Sequence, residues 1–442
     1  MSAIEQLLAD FQERPLPAVS PRLVRLPETP GVANVVIGMR RSGKTYRLYQ
    51  EMHRLLDGGV DKRRILYINF EDDRLQPLGP DTPDRVLETF YRANPAARTE
   101  GTYLFFDEIQ AVDGWSRFAR RVLDTENARM YVTGSSAKML STEISTEFRG
   151  RGHAVELLPF SLAESLLYDG VQLSRGTPGA RERSRLEAAL VQYLQVGGFP
   201  DVQPMDEPNR IQTLQDYLQL VLLRDIIERH EIRNPHAARY FALSLLQSAA
   251  SPTSVNRLAG DLKSRGIAVG KDTLYALLDH FSDAFLLFPV PVFARSLRER
   301  ESNPKKIYPV DPGLAFAVAS SATENVGARL EMAVYLELRR RLRGTRDGTI
   351  SYYLTTSRRE VDFIVGDPEL GNSHELIQAC ADLSNPITRE REMRALTEAM
   401  AETGIHEAMI VTLHESDTIE VPEGTVRVVP AWEWLLADAL RE

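Results

Sequence analysis

The chain has 442 residues, more than one hydrophobic core usually serves, so two to four domains are expected. A hydrophobic share of 43% and a charged share of 26% are ordinary for a soluble globular protein. The net charge of −9 argues against a protein that coats nucleic acid non-specifically, while leaving room for a local basic face.

At the N-terminus, MSAIEQLLADFQERPLP has no basic start followed by an apolar run, so no signal peptide is expected. The most apolar stretch, 284-AFLLFPVPVFA-294, is too short to cross a bilayer and carries two prolines. The single cysteine, Cys380, cannot form an internal disulfide, which fits a reducing compartment. The expectation is a cytoplasmic protein with no membrane partner.

The first third reads as alternating strands and helices. The run 32-VANVVIG-38 is β-branched, as expected of a buried parallel strand. Next comes the loop 38-GMRRSGKT-45, and then 44-KTYRLYQEMHRLL-56, whose apolar residues fall at near-helical spacing before Gly58 and Gly59 stop the run. Strand, glycine loop and helix together are the context of a phosphate loop. The glycines Gly38 and Gly43 let the backbone curl so that its N–H groups and the helix N-terminus face phosphates. Lys44 can reach the β and γ oxygens of ATP, and the Thr45 hydroxyl can ligate Mg²⁺. Ser42 completes the loop. Arg40 and Arg41 either counter phosphate charge or clamp the acidic cluster 71-EDD-73.

Such a loop needs a second element, an apolar strand ending in a carboxylate, and 103-YLFFDEIQ-110 supplies it. Asp107 is expected to hold Mg²⁺, and Glu108 to orient or deprotonate the attacking water. The strands 64-RILYINFED-72 and 129-RMYVTGSS-136 bracket it, which implies an α/β domain with a mostly parallel sheet.

In order and spacing, GMRRSGKT, YINFEDDRL, FFDEIQ followed by GW, VTGSSAKML and FRGRGHAVELLPFSLAE resemble the AAA+-like P-loop ATPases of bacteria and archaea. The matching subgroup carries a C-terminal region with a restriction-nuclease-like fold. The resemblance implies that Ser135 or Ser136 occupies the sensor position near the γ-phosphate. It also implies that Arg151, with Arg149 as competitor, is an arginine finger acting on a neighbouring subunit, so the active species is a homo-oligomer. A guanidinium there would stabilise charge on the transferring oxygens.

Beyond about residue 160 the pattern turns helical. The run 209-NRIQTLQDYLQLVLLRDIIERHEI-232 carries one apolar stripe. By the resemblance it is a lid, together with the GGFP turn at 197–200. Arg224 either completes a nucleotide site or pairs with Asp225 or Glu228 on the surface. From 252 to 293 two amphipathic runs flank Gly266 and lead into an alternating strand, the outline of a helix-turn-helix with a wing. Lys271, Thr273 and Tyr275 would open its second helix towards a DNA groove. Asp272 and Asp279 on the same helix favour a protein contact instead. The flanking 295-RSLRERESNPKKIY-308 could supply phosphate-backbone contacts.

In the last third, 307-IYPVDPGLAFAV-318 resembles the subgroup's junction, followed by a helix at 328–342, a hairpin at 350–365 and a strand at 375–383. Glu331 and Asp362 fit the first two acids of a restriction-type metal nuclease. Gln378 stands where a further carboxylate belongs, and Cys380 where lysine belongs, so the expectation is an inactive nuclease-derived scaffold. Cys380 itself reads as a small buried residue. The basic stretch 339-RRRLRGTR-346 and the pair Arg358 and Arg359 could still grip a phosphate backbone.

The expected architecture is α/β. An AAA+-like P-loop domain with a parallel sheet spans 1–165, a helical lid 166–235, a winged-helix domain 236–300 and a degenerate nuclease-like domain 301–442. The expected function is oligomeric Mg²⁺-dependent ATP hydrolysis coupled to work on DNA. The alternatives are a nucleotide-controlled switch on a protein partner and an ATP-licensed metal nuclease.

Overall fold

The computed structural model describes residues 2–135, 150–173, 176, 178–319, 325–342, 349–366 and 375–441, with side chains to residue 439. Two compact units emerge: Met1–Leu158 with Asp283–Phe285, and Pro159–Ser282 with Leu286–Glu442. Among the described residues no helix is long and apolar enough to cross a membrane.

The first unit is a layered α/β fold. Its elements are α1 (Ala3–Glu13), β1 (Ala33–Ile37), α2 (Lys44–Asp57), β2 (Ile65–Asn69), α3 (Thr82–Ala93), α4 (Pro95–Glu100), β3 (Thr102–Asp107), α5 (Trp115–Thr125), β4 (Ala128–Gly134) and β5 (Gly152–Glu156). The strands form one parallel sheet in the order β2-β3-β4-β1-β5. All five residues of β1 are buried, because a parallel strand covered on both faces can expose none. One face packs Val36, Phe105 and Tyr131 against Leu48 and Met52 of α2. On the other, Phe106 lies between the rings of Phe70 and Phe118. Parallel pairing puts the C-terminal ends of β1, β3 and β4 on one edge, which is where the loop and both acids emerge.

The second unit opens with α6 (Leu162–Tyr168), α7 (Ala180–Val196), α8 (Glu207–Leu220) and α9 (Pro235–Gln247). The long helix expected over 209–232 changes character midway, with α8 running into a π-helical stretch, Val221–Glu228. The buried stripe continues through this stretch as Val221, Leu222, Asp225 and Ile226, so it takes in one acid among its apolar residues.

There follow β6 (Pro252–Thr253), α10 (Val255–Ser264), α11 (Lys271–Asp283), β7 (Leu287–Val290), α12 (Leu297–Ser302), β8 (Lys305–Pro309) and α13 (Pro312–Val318). The strands β6-β8-β7 make a small antiparallel sheet. Helix α11 buries Leu274, Leu277, Leu278 and Phe281 and exposes Lys271, Thr273 and Tyr275.

The chain then adds α14 (Val326–Arg341), β9 (Ile350–Leu354), β10 (Glu360–Val365), β11 (Glu375–Ala379), α15 (Pro386–Thr403), β12 (Glu407–Thr412), β13 (Asp417–Val421), β14 (Gly424–Pro430) and α16 (Ala431–Arg441). A six-stranded mixed sheet results, ordered β13-β14-β12-β11-β10-β9, with a core of Val361, Ile364, Leu376, Leu396, Met400 and Ile410.

The GGFP turn and the VDPG junction plug into one another. Asp311 caps α13 by accepting the Leu314 N–H at 2.9 Å and also accepts the Gly198 N–H at 2.6 Å. A Cβ on Gly198 would lie 2.2 Å from Phe160 O, and one on Gly313 2.2 Å from Val196 O. Close backbone approach therefore explains both glycines.

Candidate active site

The loop after β1 is shaped by its neighbours. Gly38 has φ 156°, and a Cβ there would lie 2.2 Å from Leu157 O. Arg41 (φ 67°) and Gly43 (φ 95°) both take the left-handed conformation that curls the backbone. From below, the buried Arg22 donates to Ser42 O at 2.8 Å and to Leu158 O at 2.6 Å. No side chain caps α2, so the N–H groups of its first turn are left for a ligand. The Ser42 Oγ is buried with no hydrogen-bond partner, a hydroxyl that phosphate oxygens would satisfy.

Lys44 is 4% exposed. Its Nζ donates to Gly38 O and Met39 O, each at 3.2 Å, and lies 3.6 Å from Glu108 Oε1. Asp107 ends β3, fully buried, and gathers three hydroxyls. Thr45 donates to its Oδ2 at 2.8 Å, Tyr67 to the same oxygen at 3.1 Å, and Thr133 to its Oδ1. Burial pushes the Asp107 carboxyl up, with the Thr133 and Thr45 bonds working against that.

Glu108 sits at φ 52°, ψ 42°, a left-handed backbone that costs a non-glycine residue about 1–2 kcal/mol. Two bonds hold it there: its N–H donates to Thr133 Oγ1 at 2.8 Å, and Gln110 donates to its carboxylate. Burial raises the Glu108 carboxyl, but Lys44, Gln110 and Arg40 outweigh it and hold the group below the usual glutamate range. It is therefore an anion at neutral pH, able to accept a proton.

The structure thus brings together Gly38, Ser42, Gly43, Lys44, Thr45, Asp107 and Glu108. Arg40 pairs with Glu71 at 3.0 Å, in the manner of a clamp, while still lowering the Glu108 carboxyl. Ser135 is buried immediately after β4, on the same edge. Arg151 is at the other edge: its carbonyl accepts the Ala33 N–H where β1 and β5 begin, and its side chain is exposed and paired with Asp124. Ser136 and Arg149 lie outside the described residues. Arg224 is exposed and pairs with Glu228 at 3.1 Å.

Sequence reasoning missed Thr133, Tyr67 and Arg22. Thr133 stood inside a recognised strand, where threonine is common for packing reasons alone. Tyr67 likewise looked like an ordinary strand aromatic.

The oxygens of Thr45 and Asp107, 2.8 Å apart, are the hard donors that Mg²⁺ takes when it shares its shell with phosphates. Among the described residues no group of three His, Cys, Asp or Glu side chains forms a self-contained metal site.

Where α14 meets the C-terminal sheet the structure brings Glu331, Asp362 and Gln378 together, and Cys380, two residues after Gln378, is buried. The arginines proposed there for phosphate have partners of their own. Arg339 lies over Phe288, Arg340 donates to Pro159 O, Arg341 pairs with Glu337 and Asp438, and Arg359 pairs with Glu398.

Residues 32–166 match the family model described as an AAA domain, and residues 187–325 match a domain of unknown function (DUF8612). The chain is 33% identical over 414 residues to the uncharacterized protein MJ1544 of Methanocaldococcus jannaschii, covering 92% of this chain and 89% of that one. It belongs to that protein's family. An uncharacterized protein of Haemophilus influenzae is 28% identical over 331 residues, 75% of this chain and 78% of its own length. Among solved structures, a Walker-type ATPase of Pyrococcus abyssi aligns with 71% of this chain and 94% of its own at 14% identity and a TM-score of 0.43. The Orc1 protein of Aeropyrum pernix, solved in complex with DNA, aligns with 72% of this chain and 91% of its own at 11% identity and a TM-score of 0.29. For this family member, the N-terminal unit is a P-loop ATPase fold.

Proposed function

We propose that this chain is a Mg²⁺-dependent ATP hydrolase that works as an oligomer. The observation that carries the proposal is the convergence of Lys44, Thr45, Asp107 and Glu108 on one sheet edge, beside a loop with an orphaned hydroxyl and an uncapped helix. The loop backbone and Lys44 bind the phosphates, and Lys44 exchanges two carbonyl contacts for phosphate oxygens. Thr45 and Asp107 would hold Mg²⁺, which when bound neutralises charge on those oxygens. Glu108, ionised and locked by Thr133, accepts the proton of the attacking water. Ser135 is positioned to touch the γ-phosphate or that water.

Arg151 cannot serve its own chain's site, since it lies at the opposite edge of the sheet. Acting on a neighbouring subunit is the role that fits its exposure, which requires a homo-oligomer. The work done is on nucleic acid in our reading, through α11, which presents Lys271, Thr273 and Tyr275 to solvent in a helix pair flanked by the strands of a small antiparallel sheet. A second reading, remodelling of a protein partner, is favoured by Asp272 and Asp279, exposed on that same helix.

The test is steady-state ATP turnover with and without DNA, RNA and unfolded peptide at low salt, for wild type and Glu108→Gln. Hydrolysis predicts that Glu108→Gln still binds ATP but turns over about 10²–10⁴-fold more slowly. Unchanged turnover in that variant rules out the catalytic assignment. Stimulation by peptide and not by DNA or RNA would select the second reading.

A further inference from the structure

Lys306 is fully buried, with an ammonium surrounded by acids. Its Nζ lies 2.8 Å from Glu331 Oε1, 2.7 Å from Glu360 Oε1 and 2.9 Å from Asp362 Oδ1. Each of its three N–H bonds therefore has a carboxyl oxygen to accept it. Glu331 comes from α14. Glu360 and Asp362 come from alternate positions of β10, whose side chains share a face. Lys306 itself arrives from β8, which belongs to a different sheet.

The rest of the constellation is also satisfied. Tyr308 donates to Glu331 Oε1 at 2.6 Å, and the Ala379 N–H donates to Asp362 Oδ2 at 2.9 Å. Gln378 accepts the Asp362 N–H at 3.1 Å and donates to Glu392 Oε2 at 2.8 Å.

A nuclease outline implies a divalent metal among these acids, and the residues present do not fit one. Gln378 has both polar atoms already engaged, its oxygen by the Asp362 N–H and its nitrogen by Glu392. The Cys380 thiol, pushed up to about 11 by burial, donates to Asp382 O at 3.4 Å. The seat between the acids holds a lysine head, and an ammonium and a metal ion cannot share it. Burial alone would discharge Lys306, but Asp362, Glu331 and Glu360 outweigh it and hold the group above the ordinary lysine range. Three carboxyls around one ammonium crowd like charge, and Glu331 is the one that keeps its proton, pushed up to about 8 by burial and by Asp362.

We propose that Lys306 is the built-in cation of this site: its ammonium takes the place of a divalent metal, so the C-terminal sheet is a metal-free scaffold pinned to the β6-β8-β7 sheet. A cation supplied by the chain cannot be removed by chelation, and it anchors two sheets that a free ion would only bridge. Such a domain cleaves no phosphodiester through these acids.

The test melts nucleotide-free, full-length protein in EDTA and in millimolar Mn²⁺, for wild type, Asp362→Asn, Lys306→Ala and the double variant. Wild type and Asp362→Asn should show the same Mn²⁺ response, because the seat is filled in both. Lys306→Ala should melt on the order of 10 °C lower in EDTA. It should recover several degrees in Mn²⁺, and the double variant should not. A wild-type Mn²⁺ shift that Asp362→Asn removes would overturn the proposal, as would Asp362-dependent nicking of plasmid DNA. So would a folded Lys306→Ala that ignores Mn²⁺. Should Lys306→Ala fail to fold, wild type against Asp362→Asn decides alone in both assays.

Discussion

Thr133→Val removes one hydroxyl, keeps the shape of the side chain, and strikes both acids of the site at once. Thr133 is fully buried, donates to Asp107 Oδ1 and accepts the Glu108 N–H at 2.8 Å. Losing a bond to a charged group costs about 1.5–3 kcal/mol, and a buried N–H left without a partner about 1–3 kcal/mol. The sum, about 2.5–6 kcal/mol, should lower the melting temperature of the N-terminal unit by roughly 10 °C. Function should suffer separately. Glu108 holds a strained left-handed backbone, and without its anchor the carboxylate drifts. A displacement of about 1 Å costs on the order of 10²-fold in rate. ATP turnover measured below the melting transition should therefore fall about 10²-fold. Thr133→Ser should restore most of both losses. If Thr133→Val turns over within twofold of wild type, Thr133 does not position Glu108 and the reasoning fails.

Two further outcomes follow from the geometry. Arg151→Ala alone should lower turnover by about 10³-fold or more; mixed in equal amounts with Glu108→Gln, it should recover about a quarter of wild-type turnover, the share of sites that random assembly leaves complete. No recovery on mixing would remove the role in a neighbouring subunit. In the second unit, burial pushes the Asp311 carboxyl up from 3.8 to about 6, against the N–H groups it accepts. A carboxyl raised by folding favours the folded state below its unfolded value, and that contribution is lost as pH rises through the folded one. Denaturant titrations should show a decline on the order of 3 kcal/mol between about pH 4 and pH 6.5, and Asp311→Asn should lack that slope.

Features made of consecutive residues were legible in the sequence. The strand, glycine loop and helix around Lys44 are local, and so is the apolar strand that delivers Asp107 and Glu108; no long-range pairing is needed to read them. Thr133 was invisible because its role depends on β4 lying beside β3, with Val132 opposite Phe106, a fact about sheet order and not about neighbouring residues. The π-helical turn after α8 was hidden for another reason: its apolar residues also satisfy an ordinary helical stripe. The search for a nuclease lysine went to Cys380, two residues after Gln378. The structure instead brings Lys306 to Asp362 across 56 positions of sequence. The arginines of 339–341 looked free because their partners, Pro159, Trp434 and Asp438 among them, are distant in the chain.

Among the described residues two buried lysines face carboxylates, and hydrogen-bond satisfaction separates their roles. Lys44 has two carbonyl contacts at 3.2 Å and one acid at 3.6 Å, beside an unpartnered Ser42 hydroxyl. Those contacts are long for charge-assisted bonds, so exchanging them for phosphate oxygens loses little and also satisfies the hydroxyl. Lys306 has three acids within 2.9 Å, and moving it would leave buried anions unpaired at a cost of several kcal/mol. No phosphate could offset that cost, since an anion arriving there would face acids whose crowding already pushes the Glu331 carboxyl up to about 8. The same pair of residue types thus builds a receptive site where donors are left over and a fixed joint where none are. Charge inventory alone would have ranked the Lys306 cluster, with more acids and deeper burial, as the stronger catalytic candidate.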